Sequence, residues 1–322
     1  MDPLSDVLRS VRLTGAFFFD VQAGEPWVAE TPRGESIVGA MFPGSEHLIS
    51  YHLILEGGCW ICLEDEPALR LVTGDIVVLP HGDTHTLSSA PGLRRTPEMQ
   101  MYRRPDDRHL PVSIAVGDDV GNGARFVCGF VACDARPYNP LLSALPRMFR
   151  LGDHVSGSLG AYFQAALAET KDSRLGGAGI LHRLSELMFV DAVRRYLEGL
   201  PAGHSTWLSG LRDPYVGRAL ASLHREPGRS WTIESLARQV ALSRSALAER
   251  FGHFVGQPPM QYLTNWRMQL AANELRAGTD SIAVIGHRVG YESEAAFSRA
   301  FKKAVGVPPS AWRASLTSGE NW

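Results

Sequence analysis

No run of about 18 consecutive apolar residues occurs in the 322-residue chain, so no segment has the composition of a membrane-spanning helix. The N-terminus, MDPLSDVLRS, carries acids and no apolar core, which does not match a secretory leader. Only four cysteines are present, too few for a disulfide scaffold and in keeping with a reduced cytosol. A single Cys-x-x-Cys pair does not make a four-cysteine zinc pattern. A phosphate-binding glycine loop, a Ser/His/Asp nucleophile pattern and a paired-acid motif are likewise missing, which argues against the common hydrolase and nucleotide-binding chemistries. Net charge is also nearly absent, at −2.

That near-neutrality hides a division. From Arg212 onward there are 14 Lys and Arg against 9 Asp and Glu, a net of +5, while residues 1–211 carry a net of −7. A basic C-terminal part points to an anionic partner, with ordinary surface charge as the alternative. At 44% hydrophobic residues, the length fits about two domains, each able to bury a core.

The first 135 residues read as strands: HLISYHLIL, LRLVTGDIVVLP and ARFVCGFVAC are β-branched and aromatic runs bounded by Gly and Pro. A small β-barrel or double sheet is expected there. Residues 136–200 turn helical. In GILHRLSELMFVDAVRRYLEGL, Leu181, Leu184, Met188 and Ala192 fall on one face, either a core face or a dimer seam. Residues 201–212, PAGHSTWLSG and two more, are expected to be a linker. Residues 213–322 read as short helices, opened by Asp213 as cap and Pro214 in the first turn.

This last part contains a repeat. QVALSRSALAERFGHFVGQPP, ending at Pro259, is nearly rewritten as RVGYESEAAFSRAFKKAVGVPP, ending at Pro309. Ile233 and Leu236 match Ile282 and Ile285, Ala237 matches Gly286, and Val240 matches Val289. Phe251 matches Phe301 after one inserted residue, followed by Val-Gly and Pro-Pro in both copies. Each copy is expected to be a helix, a sharp turn and a second helix. Thr232 and Ser243 cap the helices of the first, and Ser281 and Ser293 those of the second. Leu247 with Phe251, and Phe297 with Phe301, bury one face of each second helix. The opposite face then presents Arg244, Ser245, Ala248 and Glu249 in copy one, and Glu294, Ala295, Ser298, Arg299, Lys302 and Lys303 in copy two. A helix so exposed fits the major groove of B-DNA, with its basic residues near phosphates. Leu263, Trp266, Leu270 and Leu275 stripe a connecting helix of about 18 residues, or ~27 Å. That length suits two recognition helices placed about one turn of DNA apart on one duplex, near 34 Å.

These residues resemble the DNA-binding domain of AraC/XylS-type transcription regulators. The likeness rests on S-I-x-x-I, GYES-x-x-x-F-S-R-x-F-K and G-x-x-P in copy two, with ALSRS-x-L-x-x-x-F and GQPP in copy one. It covers about a third of the chain. Where such regulators often carry Arg or another polar donor, this chain has Ala248 and Glu249, a methyl suited to thymine and an acid suited to cytosine N4.

In the first half, Gly74, Pro80, Gly82 and His85 in GDIVVLPHGDTH resemble the second signature of cupin β-barrels. The first signature is partly kept in SYHLILE, where Ser50 stands for its first His and His52 and Glu56 remain. Ser89 stands where the second signature ends in Asn. The resemblance implies a cupin-like sensor domain, with His52, Glu56 and His85 as a candidate divalent metal or effector site and His81 as a substitute ligand. Hydrogen-bonded core histidines are the alternative. Cys59 and Cys62, three apart on a strand, are expected to face opposite ways; with Cys128 and Cys133 they are candidate redox thiols or inert core residues.

The expectation is a cytoplasmic transcription regulator with a cupin-like β-barrel and an all-α tandem helix-turn-helix. Its expected partners are operator DNA, a small-molecule, metal or oxidant effector, a second copy of itself and the transcription machinery. A metal-dependent cupin enzyme tethered to DNA, and a constitutive DNA binder whose barrel only dimerises, are the rival readings.

Overall fold

The computed structural model describes residues 2–102, 112–118, 123–152, 157–171, 175–201 and 203–318. The ends of the expected outer domains, Met1 and residues 319–322, lie outside the described residues. Among those described are ten strands and thirteen helices, which form two compact units. One comprises Leu13–Asp134 and Leu145–Gly199; the other comprises Met1–Arg12, Ala135–Ala144 and Leu200–Trp322.

The sheet unit contains all ten strands. They are β1 (Thr14–Ala23), β2 (Val28–Thr31), β3 (His47–Glu56), β4 (Gly58–Leu63), β5 (Leu69–Val72), β6 (Ile76–Leu79), β7 (His85–Ser88), β8 (Val112–Val116), β9 (Ala124–Cys133) and β10 (Phe149–Leu151). A six-stranded sheet runs β10-β6-β3-β9-β1-β8, and a four-stranded sheet runs β2-β7-β4-β5. The Val, Ile and Phe runs seen in the sequence form these strands because alternate side chains meet between the sheets. Phe19, Ile54, Ile61, Leu63, Leu87, Phe126 and Phe130 all belong to one buried cluster.

The other face of the six-stranded sheet is also buried, which explains why β3 reads as an almost unbroken apolar run. Helices Ser158–Lys171 and Gly177–Gly199 belong to this unit, and the ring of Phe163 meets Tyr51 of β3 edge-on at 5.9 Å. Leu181, Met188 and Ala192 are each under 5% exposed, and Leu184 is half-buried. That stripe is therefore a core face. The helical residues 145–199 complete the sheet unit instead of standing apart as a segment of their own.

The second unit is helical. Its elements are α1 (Pro3–Ser10), α3 (Pro140–Ala144), α6 (Trp207–Arg212), α7 (Val216–Arg225), α8 (Ile233–Gln239), α9 (Arg244–Val255), α10 (Pro259–Ala277), α11 (Ile282–Arg288), α12 (Glu294–Val305) and α13 (Pro309–Ser318). Helices α2 (Gly34–Met41), α4 (Ser158–Lys171) and α5 (Gly177–Gly199) are those of the sheet unit. Two expectations are corrected here. Residues 207–212 are helix and not linker, because Thr206 forms a capping box with Ser209 and the apolar Trp207 and Leu208 are buried. Residues 1–12 belong to the helical unit and not to the sheet unit, because α1 buries Pro3 and Val7 there and Ser10 is held by α10.

Candidate functional site

The repeat folds as two helix-turn-helix units. In the first, Thr232 caps α8 with a capping box and the Ser243 hydroxyl accepts the Ala246 N–H at the start of α9. In the second, the Ser281 hydroxyl accepts the Val284 N–H of α11 and that of Ser293 accepts the Ala296 N–H of α12. The turns need left-handed backbone at Ala241 (φ 60°) and Gly290 (φ 90°). Glycine is required at the second, since a Cβ there would lie 2.6 Å from the Gly228 carbonyl oxygen. The Val-Gly that closes each copy is a left-handed C-cap, at Gly256 and Gly306.

Leu247, Phe251, Phe297 and Phe301 are all 0% exposed, which fixes the rotation of both second helices. Arg244, Ser245, Ala248 and Glu249 then face solvent on α9. Glu294, Ala295, Arg299, Lys302 and Lys303 do so on α12, while Ser298 is half-buried. Arg244 is engaged by Glu234 of α8 at 3.0 Å. Arg250, on the same helix, ties α9 to the start of α7: its guanidinium donates to both carboxylate oxygens of the buried Asp213. Asp213 also accepts the N–H groups of Tyr215 and Val216. These donors hold its carboxyl below the usual range against the opposing effect of burial. Helix α10, 19 residues or about 28 Å long, joins the two units. It buries Leu263, Trp266 and Leu275 and leaves Leu270 partly buried.

In the sheet unit, His52 and His85 meet and Glu56 does not join them. His52 on β3 and His85 on β7 are both 0% exposed, with their Nε2 atoms 2.7 Å apart. His85 Nδ1 lies 2.8 Å from the Asp83 carbonyl oxygen, which only accepts, so Nδ1 carries the proton and Nε2 is the acceptor. His52 Nε2 must then donate, leaving His52 Nδ1 to accept from the Cys128 thiol at 3.0 Å. The proton positions thus run Cys128 to His52 to His85 to backbone. Burial holds His52 well below its ordinary value and His85 down to about 4, so both rings are neutral.

A bulge reverses Glu56. Ile54 pairs with Phe126 and Glu56 with Arg125, so two residues of β3 advance against one of β9. The Glu56 side chain is 73% exposed and lies beside Arg125. His81 is also elsewhere, with Nε2 donating to the Leu145 carbonyl at 3.0 Å. Among the described residues, no group of three or more His, Cys, Asp or Glu side chains is arranged to hold a metal. The His52–His85 bond occupies the nitrogens that would face an ion, and the thiol beside the pair, Cys128, meets the other nitrogen of His52.

Cys59 and Cys62 occupy opposite faces of β4, Cys59 fully buried and Cys62 half-buried. Cys128 and Cys133 are also buried. Burial pushes the Cys59 thiol up to about 12 and raises Cys128 and Cys133 as well, which disfavours the reactive thiolate.

A cavity of about 350 Å³ opens in the same unit, between the edge strands β2 and β8. Phe19, Met101, Tyr102 and Ile114 give it an apolar wall, with Glu30 and Arg95 also lining it. Phe19 is the register partner of Cys128, but neither Cys128 nor His52 lines the cavity. Sequence reasoning missed this cavity because its wall comes from segments far apart in the chain.

A family model described as Cupin matches residues 2–198, and one described as Helix-turn-helix domain matches residues 236–315. A putative AraC-like transcription regulator of Streptomyces lividans is 35% identical over 97% of this chain and 98% of its own. This chain belongs to the AraC-like transcription regulators. A second such regulator, from Streptomyces antibioticus, is 32% identical over 97% of this chain and 98% of its own. The HTH-type transcriptional regulator AlkR of Acinetobacter baylyi is 28% identical over 97% of this chain and 99% of its own. The AraC-like helix-turn-helix pair and the cupin fold are thus both present, as the sequence motifs implied. Among the described residues, no helix is long and apolar enough to cross a membrane.

Proposed function

We propose that this AraC-like regulator reads operator DNA with α9 and α12 in successive major-groove segments, under the control of a small organic effector held by the sheet unit. The observation that carries the reading is the solvent-facing row of Arg299, Lys302 and Lys303 on α12, opposite a wholly buried Phe297 and Phe301. Phosphates select basic side chains on a rigid helix, and base edges are read by the exposed residues near each helix start. In α9 these are Arg244, Ser245, Ala248 and Glu249, and in α12 Glu294, Ala295 and Ser298.

The cavity between β2 and β8 has the volume of a small-molecule site, and its Phe, Met and Ile lining favours an organic ligand over a hydrated ion. The neutral histidines and high-pKa thiols support packing roles, so the sheet unit is read as a binding module and not as a catalyst. Pairing of two copies through α5 accounts for Ile180 and Leu187, seven residues apart and 46% and 47% exposed. Selection of duplexes from a random pool by the full chain tests the central reading. It should enrich a common site whose affinity falls steeply with salt. Enrichment of no site would overturn it.

A further inference from the structure

Gln269 interrupts the apolar stripe of α10 with an amide, and it is 0% exposed. Both ends of that amide are used, each on a different segment. The Nε2 donates to the Ser10 carbonyl at 3.2 Å, and Oε1 accepts the Tyr138 backbone N–H at 3.0 Å. The neighbours repeat the arrangement. Asn273, one turn further on, donates to the same Ser10 carbonyl at 2.9 Å and to its hydroxyl at 3.1 Å. Gln257 donates to the Tyr138 phenol oxygen at 2.7 Å.

The two segments held in this way have a shared destination. Ser10 lies just before β1, which opens at Thr14, and Tyr138 lies just after β9, which closes at Cys133. β1 and β9 are hydrogen-bonded neighbours, with Thr14 opposite Ala132. One side chain of the helix that spaces the two reading units therefore grips the chain on its way into a strand pair and on its way out. An apolar residue would fill the same volume but leave the Tyr138 N–H without this acceptor, which is costly, and leave the Ser10 carbonyl to Asn273 alone. The wall of the cavity includes Phe19 of β1, so the strand pair is where a ligand would register.

We propose that Gln269 is the coupling residue of this regulator: within the helical unit it holds, on the helix that sets the placement of α9 and α12, the two segments whose chain continues into β1 and comes from β9. The inference rests on the DNA-reading assignment above. Coupling between two sites is reciprocal, so DNA bound by the reading helices must alter β1 and β9, whatever the effector is.

Hydrogen exchange of the full chain, with and without a duplex that it selects from a random pool, tests this. On duplex binding, exchange of the amides in 14–23 and 124–133 should change by about fivefold or more in the native protein. Gln269→Met should still bind the duplex yet lose most of the change in 124–133, where its bond to Tyr138 is gone, while Asn273 still holds Ser10. Tyr138→Phe removes only the bond from Gln257, and should weaken the β9 response while the β1 response persists.

A native protein that binds the duplex with no change in either strand would overturn the proposal. So would a Gln269→Met variant that responds as the native protein does. If Gln269→Met fails to fold, Gln269→Leu takes its place, and a β9 response equal to the native one contradicts the coupling role. Failure to select any duplex would instead bring down the DNA-reading assignment, and this inference with it.

Discussion

The Nε2 atoms of His52 and His85 lie 2.7 Å apart, and this bond crosses from the six-stranded sheet to the four-stranded one. It is a buried polar link between two layers whose shared core is apolar. Its proton count is complete only when both rings are neutral, and that sets a pH window for the fold.

An unfolded chain takes up a proton on each ring as pH falls through about 6.5. The folded chain resists, with His85 held down to about 4 by burial. Stability is therefore fully present above pH 6.5 and is lost progressively between 6.5 and 4, by roughly 3 kcal/mol from His85. Denaturant unfolding at a series of pH values checks this. A His85→Phe variant, although less stable at pH 7.5, should lose less of its stability on acidification than the native protein. Equal pH slopes would contradict the assignment.

Thiol reactivity should be uneven. Cys62 is half-buried, while Cys59, Cys128 and Cys133 are enclosed with pKa values raised by burial. In native buffer a thiol-reactive chromophore should label Cys62 first, with the other three following only as the protein unfolds. Rapid native labelling of Cys128 would show that the His52 contact activates it.

Phe301 and Lys302 are adjacent and should behave oppositely. Phe301→Ala removes a 0% exposed ring that packs against Phe297 and Trp312, and should cost about 3–5 kcal/mol in denaturant unfolding. Lys302→Ala should be within about 0.5 kcal/mol of the native protein in stability. Its loss should appear in DNA affinity.

Arg299 is solvent-facing on α12. If it holds a phosphate, Arg299→Ala should weaken binding across sequences and reduce the salt slope by about 1. If it reads a base, the variant should relax specificity at one position of the site. Unchanged affinity, slope and specificity would mean that this face does not touch DNA.

The helical unit was legible in the sequence because its signals are local. Thr232, Ser243, Ser281 and Ser293 cap the helices that they were expected to cap, and Leu247, Phe251, Phe297 and Phe301 repeat at helical spacing. The errors came from contacts that spacing does not encode. Glu56 and His52 share a strand face by count, but the bulge at Ile54–Glu56 parts them. Trp207 and Leu208 sit in a stretch of Gly, Ser and His, and only their burial makes it a helix. Gln269 looks like one more polar residue on a helix until Ser10 and Tyr138, more than 100 residues away, are found on either end of its amide. An amide within the stripe around Trp266 and Leu270 was the one visible hint.

The central claim is that α9 and α12 read two groove segments from one chain. Hydroxyl-radical footprinting of the full chain on a selected duplex tests it most directly. The account predicts, for each protein chain, two protected segments on one face of the DNA, about 10–10.5 base pairs apart. It also predicts that Arg299→Ala weakens one segment and leaves the other protected. A single protected segment per chain, or protection that ignores changes on α12, would contradict it.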